Sequence, residues 1–339
     1  MRNSTLQCDR VLFFRVKEYS IITLSLSSRL KRGRFFMKVR VLHYDAFTDK
    51  PGKGNPAGIV LNADELTEEQ MLAAAAAVGF NETVFILPSY AADMRLRYFT
   101  PGQEMDLCGH ATVASLFMLD EQGRISSDRV LIETKAGILP ATMNREKERT
   151  EIGMQQAPYR EENFEGSLAA LAGAVGLTEQ DLDERYPVVY GSTGSWTLLL
   201  PVKHLDAFRR MKPDNRRFPE ILTQKPRASV HPFCLETIHP EASMHGRHFS
   251  SPYSGTVEDP VTGTASGVMG VYYRKHIENN PEYPVIQNAS GGKHREIIVE
   301  QGQEIGRDGI IRVCLPDSPT DAVRIYGTAV FVKEFEVEF

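Results

Sequence analysis

Two short phrases carry the residues best placed for chemistry. "LCGHATVAS" runs over residues 107–115 and "VTGTASGVM" over 261–269, so that Gly109-His110-Ala111-Thr112 lies over Gly263-Thr264-Ala265-Ser266 half a chain away. Each phrase follows a strand end and a polar loop, Phe99-Thr100-Pro101 before the first and Phe249-Ser250-Ser251-Pro252 before the second. In each, a glycine opens an apolar helix. The first N–H groups of a helix have no partner inside it and point outward. Such an end attracts an anion, and two ends facing each other suit a carboxylate. One copy alone reads equally well as a capped, buried helix. Two copies favour a pseudo-symmetric pair with a site between the halves.

The elements that must position these phrases follow from periodicity and punctuation. Residues 39–47 alternate as a strand, and the Gly/Pro-rich "TDKPGKGNPAGIV" leads into another at 58–61. A helix is predicted over 66–78: Thr67 caps it, Glu68 and Glu69 suit its first turn, Ala73 to Ala77 favour it and Gly79 closes it. Strands over 83–87 and 94–99 precede an apolar helix at 111–119. Further strands are read at 130–134, 137–143 and 151–154, then a helix at 167–174 and strands at 188–190 and 197–201. A short helix at 205–211, strands at 229–236 and 248–249, and a second apolar helix at 263–276 come next. Strands at 296–300, 310–315 and 323–337 end the chain. Many short strands with two apolar helices indicate mixed α+β rather than regular β-α-β alternation. The domain boundary is placed near the charged "NREKERT", residues 144–150.

The 339 residues suffice for about two domains. Hydrophobic residues are 42% and charged residues 24%, ordinary for a chain with a sizeable core. A net charge of −5 gives no electrostatic case for nucleic acid. Cys8, Cys108, Cys234 and Cys314 show no C-x-x-C zinc spacing, which indicates reduced thiols in a cytoplasmic protein. Residues 1–36 mix apolar runs with Arg15, Lys17 and Glu18, contain no apolar stretch of about 18 residues and lack a clear signal-peptide pattern. They are read as an extension outside the fold, which then begins at Met37. No membrane association is expected.

Other motifs point nowhere specific. Gly52 to Gly58 misses both Gly-rich nucleotide-loop spacings and reads as a structural loop, with Asn55 near the cleft. His239, His245 and His248 cluster locally, but without metal-ligand spacing or a placed acidic partner, and read as a solvated loop. "GSTGSW", residues 191–196, lacks the spacing of a nucleophile elbow.

In combination, "DAFTDKPGKGNPAGIV", "GFNETVFI", "FTPGQEMDLCGHATVAS" and "EDPVTGTASGVMG" resemble the phenazine biosynthesis PhzF-like isomerase family from about Met37 to the C-terminus. That family shares its fold with diaminopimelate epimerase and proline racemase. The resemblance implies two similar domains, each a β-barrel-like sheet around a central helix, with the active site between them. The domains are expected at 37–147 and 148–321, with a final strand within 322–339 returning to the first.

The resemblance also implies roles. Glu82, in "NETVF", matches the family's acid/base glutamate; an isolated Glu there would read as a turn residue. His110 matches the active-site histidine, against a capping or core role, and Asp259, before Pro260, matches the active-site aspartate, against turn formation. Thr264 stands where the family often has Ser and keeps a hydroxyl. Asn55, Gly109, Gly263 and Thr264 are the expected substrate-binding residues. Cysteine racemases of this fold use two thiols. Cys108 holds the first place and Thr262 the second, and a threonine hydroxyl is too weakly acidic to replace a thiolate. Cys108 is then chiefly a packing residue.

The leading expectation is a cofactor-independent isomerase that moves a proton within a small carboxylate-bearing metabolite, without metal. A racemase or epimerase acting next to a carboxylate and a catalytically inactive metabolite-binding protein are the alternatives. Retention of Glu82, His110 and Asp259 together argues against the last. The sequence leaves a homodimer open.

Overall fold

The computed structural model describes residues 29–31, 34–145, 149–278, 295–315 and 322–339. Most of the expected N-terminal extension, and the expected boundary at 147/148, lie outside the described residues. A hairpin, β1 (Arg29–Lys31) and β2 (Arg34–Phe36), precedes the main body. Met37 and Phe339 then exchange backbone hydrogen bonds of 3.0 and 3.1 Å, joining the start of the main sheet to the last residue.

The first half contains β3 (Lys38–Ala46), β4 (Asn55–Val60), α1 (Glu68–Val78), β5 (Glu82–Leu87), β6 (Met94–Phe99), β7 (Glu104–Met105), α2 (Gly109–Glu121), β8 (Arg129–Thr134), β9 (Gly137–Asn144) and β10 (Glu151–Gln155). β4 and β5 run parallel, as do β6 and β8, and the other pairings among these strands are antiparallel. α1 begins with a capping box: Gln70 N–H donates to the Thr67 hydroxyl, and the Thr67 N–H donates to Gln70 Oε1. α2 is apolar on all sides and is buried continuously from His110 to Leu119, as a helix enclosed by sheet must be.

The second half contains β11 (Arg160–Asn163), α3 (Leu168–Ala174), β12 (Val189–Ser192), β13 (Trp196–Pro201), α4 (Asp206–Arg210), α5 (Phe218–Ile221), β14 (Ser229–Cys234), β15 (Met244–Gly246), β16 (His248–Phe249), β17 (Glu258–Asp259), α6 (Gly263–Tyr272), β18 (Arg295–Gln301) and β19 (Gly309–Leu315). β20 (Arg324–Gly327) pairs with both β19 and β10, and so stitches the two halves together. β21 (Ala329–Glu338) runs antiparallel to β3. α6 packs against β12, β19 and β20 and meets α2. Its glycines let the sheet approach closely. A Cβ on Gly263 would stand 2.4 Å from Ile325 Cδ1 of β20, so only a residue without a side chain fits unless Ile325 moves.

The mixed α+β architecture agrees with the sequence reading. Several elements shift by a few residues at their ends, and three differ more. The strand expected over 323–337 is two, broken at Thr328, whose carbonyl accepts from Phe47 N–H at 2.8 Å. The helix expected over 263–276 is α-helical only to Tyr272 and continues as a π-helical turn, Tyr273–Glu278. The expected strand 229–236 ends at Cys234, whose thiol donates to the carbonyl of Glu236 two residues on. The two- to four-residue strands β7, β11, β15 and β17 carry too few residues for alternation to register, and β11 is the charged "REEN".

Candidate active site

The repeated phrases build the same local structure. Cys108 and Thr262 occupy the N-cap positions in extended backbone, and neither side chain caps its helix. Four residues on, the Thr112 hydroxyl donates to the Cys108 carbonyl at 2.7 Å and the Ser266 hydroxyl donates to the Thr262 carbonyl at 2.9 Å. The shared hydroxyl therefore ties each helix to its entry residue. The leading amides of both helices are left without side-chain caps, as an anion site requires.

Both helix starts open on one cavity of about 490 Å3. Glu82, Cys108, Gly109 and His110 line it from the first half. Asp259, Thr262, Gly263 and Thr264 line it from the second. A Cβ on Gly109 would meet nothing within 4 Å among the described residues, so this helix start faces open space.

Glu82 is the first residue of β5, opposite Ala57 of β4 in the parallel register. Its side chain is 20% exposed, and Oε2 lies 3.4 Å from His110 Nε2. Burial raises its pKa above the ordinary carboxylate value; His110 draws it down, and the charge of Asp259 pushes it up again. Cys108 Sγ lies 3.4 Å from His110 Nδ1. Burial, with the Glu82 carboxylate nearby, pushes this thiol well above its usual range, so it is protonated at neutral pH.

Asp259 is locked from several sides. Its Oδ1 accepts from Asn55 Nδ2 at 2.8 Å and its Oδ2 from the Thr262 hydroxyl at 2.5 Å. Gln301 Nε2 donates to the Asp259 carbonyl at 2.7 Å, and the Gln301 side-chain oxygen accepts from Thr262 N–H at 3.2 Å. Asn55 also donates to the Val261 carbonyl at 2.9 Å. Asn55 is fully buried and is not among the described residues that line the cavity. Asn55, expected as a substrate contact, here bonds Asp259 and so helps to hold that carboxylate in place.

The ligand atoms of Glu82, Cys108 and His110 lie within 4.8 Å of one another and could converge on a cation. A metal there would have to displace the proton of a buried thiol and compete with the Glu82–His110 contact.

The far wall of the cavity escaped the sequence reading. Trp196, Ser229 and His248 lie there, with Arg227 and Tyr253 stacked at 4.9 Å between guanidinium carbon and ring centroid. Two of the three histidines assigned to a solvated loop also need correction, while His239 does lie in a loop, partly exposed. His245 is fully buried, its Nδ1 2.9 Å from Glu300 and its Nε2 3.0 Å from Glu304, and His248 is buried in β16. His245 and His248 sit in the short strands β15 and β16, and the acidic partners of His245 come from β18 and the turn after it, too distant in sequence to be seen.

The chain matches the model of the phenazine biosynthesis-like protein family over residues 44–335. The chain belongs to this family. Within it, the uncharacterized isomerase YfhB of Bacillus subtilis is 50% identical over 87% of this chain and 97% of its own length. Trans-2,3-dihydro-3-hydroxyanthranilate isomerase of Pseudomonas aeruginosa is 28% identical over 79% of this chain and 87% of its own. A crystal structure of a PhzF-family phenazine biosynthesis protein from Bacillus anthracis shares 52% identity and superposes with a TM-score of 0.83, covering 88% of this chain and 99% of that one. A hydroxyproline epimerase from Agrobacterium vitis, 14% identical with a TM-score of 0.54 over 89% of this chain and 91% of that one, shares the fold alone. These relatives place the chain among enzymes of the isomerase class. Among the described residues no helix is long and apolar enough to cross a membrane.

Proposed function

We propose that the protein is a cofactor-independent isomerase that moves a proton within a small carboxylate-bearing metabolite, with Glu82 as general acid/base. The observation that carries this reading is a carboxyl group with a raised pKa, beside an imidazole, on the wall of a cavity into which two uncapped helix ends open. A substrate carboxylate between those ends would be met by the amides of Gly109, His110, Gly263 and Thr264. Glu82 takes a proton from an activated carbon and returns it at another position on the same face. The charge that develops spreads toward the substrate carboxylate, where the same amides steady it; stabilisation of this kind is worth several kcal/mol. His110, 3.4 Å from Glu82, holds the carboxyl or an intermediate in place. Asp259, oriented by Asn55 and Thr262, receives an amino or hydroxyl group of the substrate.

The Pseudomonas aeruginosa relative is named for trans-2,3-dihydro-3-hydroxyanthranilate. A small cyclic carboxylate bearing amino and hydroxyl groups is the substrate class proposed here. The test is to incubate the protein with such carboxylates in D2O and follow deuterium uptake and product by mass spectrometry, with and without EDTA. Isomerisation with deuterium at a new carbon, unaffected by EDTA, is the expected result. Inversion at a single carbon would favour the epimerase reading, and activity lost with EDTA and restored by metal would overturn cofactor independence.

A further inference from the structure

His248 lines the cavity and has no part in the proton transfer proposed above. β16 sets it opposite Asp259 of β17. Its Nδ1 lies 3.1 Å from Nδ1 of His231 on β14, and the two ring planes are inclined at 57°. His231 is fully buried and His248 is 9% exposed. Burial pushes both imidazoles below their usual range; the neighbouring His248 and His245 add to this at His231, and Asp259 opposes it at His248. Both rings are therefore neutral at pH 7.

Two neutral imidazoles that meet through Nδ1 share one proton: one nitrogen donates and the other accepts. The surroundings of His231 decide which. Its Nε2 is buried without a hydrogen-bond partner among the described residues. The backbone of Gly246 closes over it, since a Cβ there would stand 2.6 Å from that nitrogen. A buried N–H left without an acceptor is rarer than a bare acceptor. His231 accordingly carries its proton on Nδ1 and donates it to His248 Nδ1. His248 then carries its own proton on Nε2, on the side of the ring turned away from His231.

We infer that His248 presents a fixed Nε2–H donor to an oxygen of the substrate on the second-half wall, and that His231 is the positioning residue that sets its tautomer. The inference builds on the proposed isomerase reading and extends the substrate class: beyond its carboxylate, the substrate carries a carbonyl, carboxylate or hydroxyl oxygen that accepts this bond. A site built around a donor discriminates against analogues lacking the acceptor, because the N–H is then left unpaired.

The test uses the full chain labelled with 15N-histidine and 3-hydroxyanthranilate as the probe. Without probe, long-range 1H–15N spectra are expected to show His248 protonated on Nε2 and His231 on Nδ1. Adding the probe is expected to shift the His248 Nε2 signal. His248→Gln retains an N–H donor and should hold the probe Kd within about threefold, whereas His248→Leu should weaken it by about tenfold, the loss of one hydrogen bond. His231→Asn, which can still donate toward His248, should preserve the tautomer. A His248 ring protonated on Nδ1, no shift on titration, or equal Kd for His248→Leu and the parent protein would each overturn the inference. Glu82→Gln should leave the tautomers and probe binding intact while stopping proton transfer, so failure of the acid/base assignment is distinguishable from failure of this one.

Discussion

Replacing Glu82 by Gln should lower activity and raise stability together. The substitution keeps the shape of the side chain and removes its capacity to accept a proton. General bases contribute about two to four orders of magnitude, equivalent to about 2.7 to 5.4 kcal/mol of barrier. The stability term has the opposite sign. In the folded protein, burial and the charge of Asp259 hold the Glu82 pKa above its ordinary value, and His110 offsets them only in part. In the unfolded chain the carboxyl titrates near about 4.3. The stability associated with its protonated form is complete below that unfolded value and is lost as pH rises through the higher folded value. Gln has no proton to lose. The variant should match the parent in the most acid range and exceed it at pH 8, at about 2 °C of Tm per kcal/mol for a chain of this length. The acid limb of the parent's rate profile should lie above the usual carboxylate range. Solvent-deuterium exchange at saturating substrate, with thermal melts at pH 4.5 and 8, measures both effects. Turnover within tenfold of the parent, or a stability deficit that grows with pH, would refute the assignment.

Cys108→Ala should leave turnover within about threefold, because a thiol held well above its usual range supplies little thiolate at neutral pH; loss of solvent exchange in this variant alone would favour a one-thiol epimerase. Gly263→Ala should cost about 1 to 3 kcal/mol in urea unfolding, since the new methyl meets Ile325 at 2.4 Å, and Ile325→Val in the same chain should recover part of that loss. His245→Leu should cost about 3 to 5 kcal/mol by the same assay, because it leaves Glu300 and Glu304 buried without the imidazole between them.

What could be read from the sequence follows how locally each signal is written. The helix starts at Gly109 and Gly263 were legible because one phrase appears twice and each copy carries its own glycine, apolar run and back-bonding hydroxyl within a few residues. The cap of α1 was legible for the same reason, with Thr67 and Gln70 one turn apart. Glu82 and Asp259 were named through family resemblance, because a single carboxyl at a strand or turn has no distinctive local pattern. His245 was misplaced because its partners, Glu300 and Glu304, lie 55 and 59 residues further along the chain. The far wall of the cavity could not be read at all. Its strand residues come from β13, β14 and β16, and strand pairing alone decides that Thr197, Ser229 and His248 share a face.

The two helix starts share a backbone plan, but the groups around them differ in chemistry. Both helix starts keep the extended N-cap, the glycine and the hydroxyl tether, so the elements suited to an anion are duplicated. The groups suited to moving a proton are not. Glu82 and His110 belong to the first half, and the place corresponding to Cys108 is taken by Thr262, whose hydroxyl donates to Asp259. A reaction that removes a proton from one face of a carbon and delivers it to the other needs a competent group on each side. One carboxyl on one side, facing a second half that offers a locked aspartate and neutral donors, suits removal and return on the same face. Under the proposed function, this asymmetry within a symmetric frame separates a proton shift from racemisation, and it makes the position of the incoming deuterium the decisive measurement.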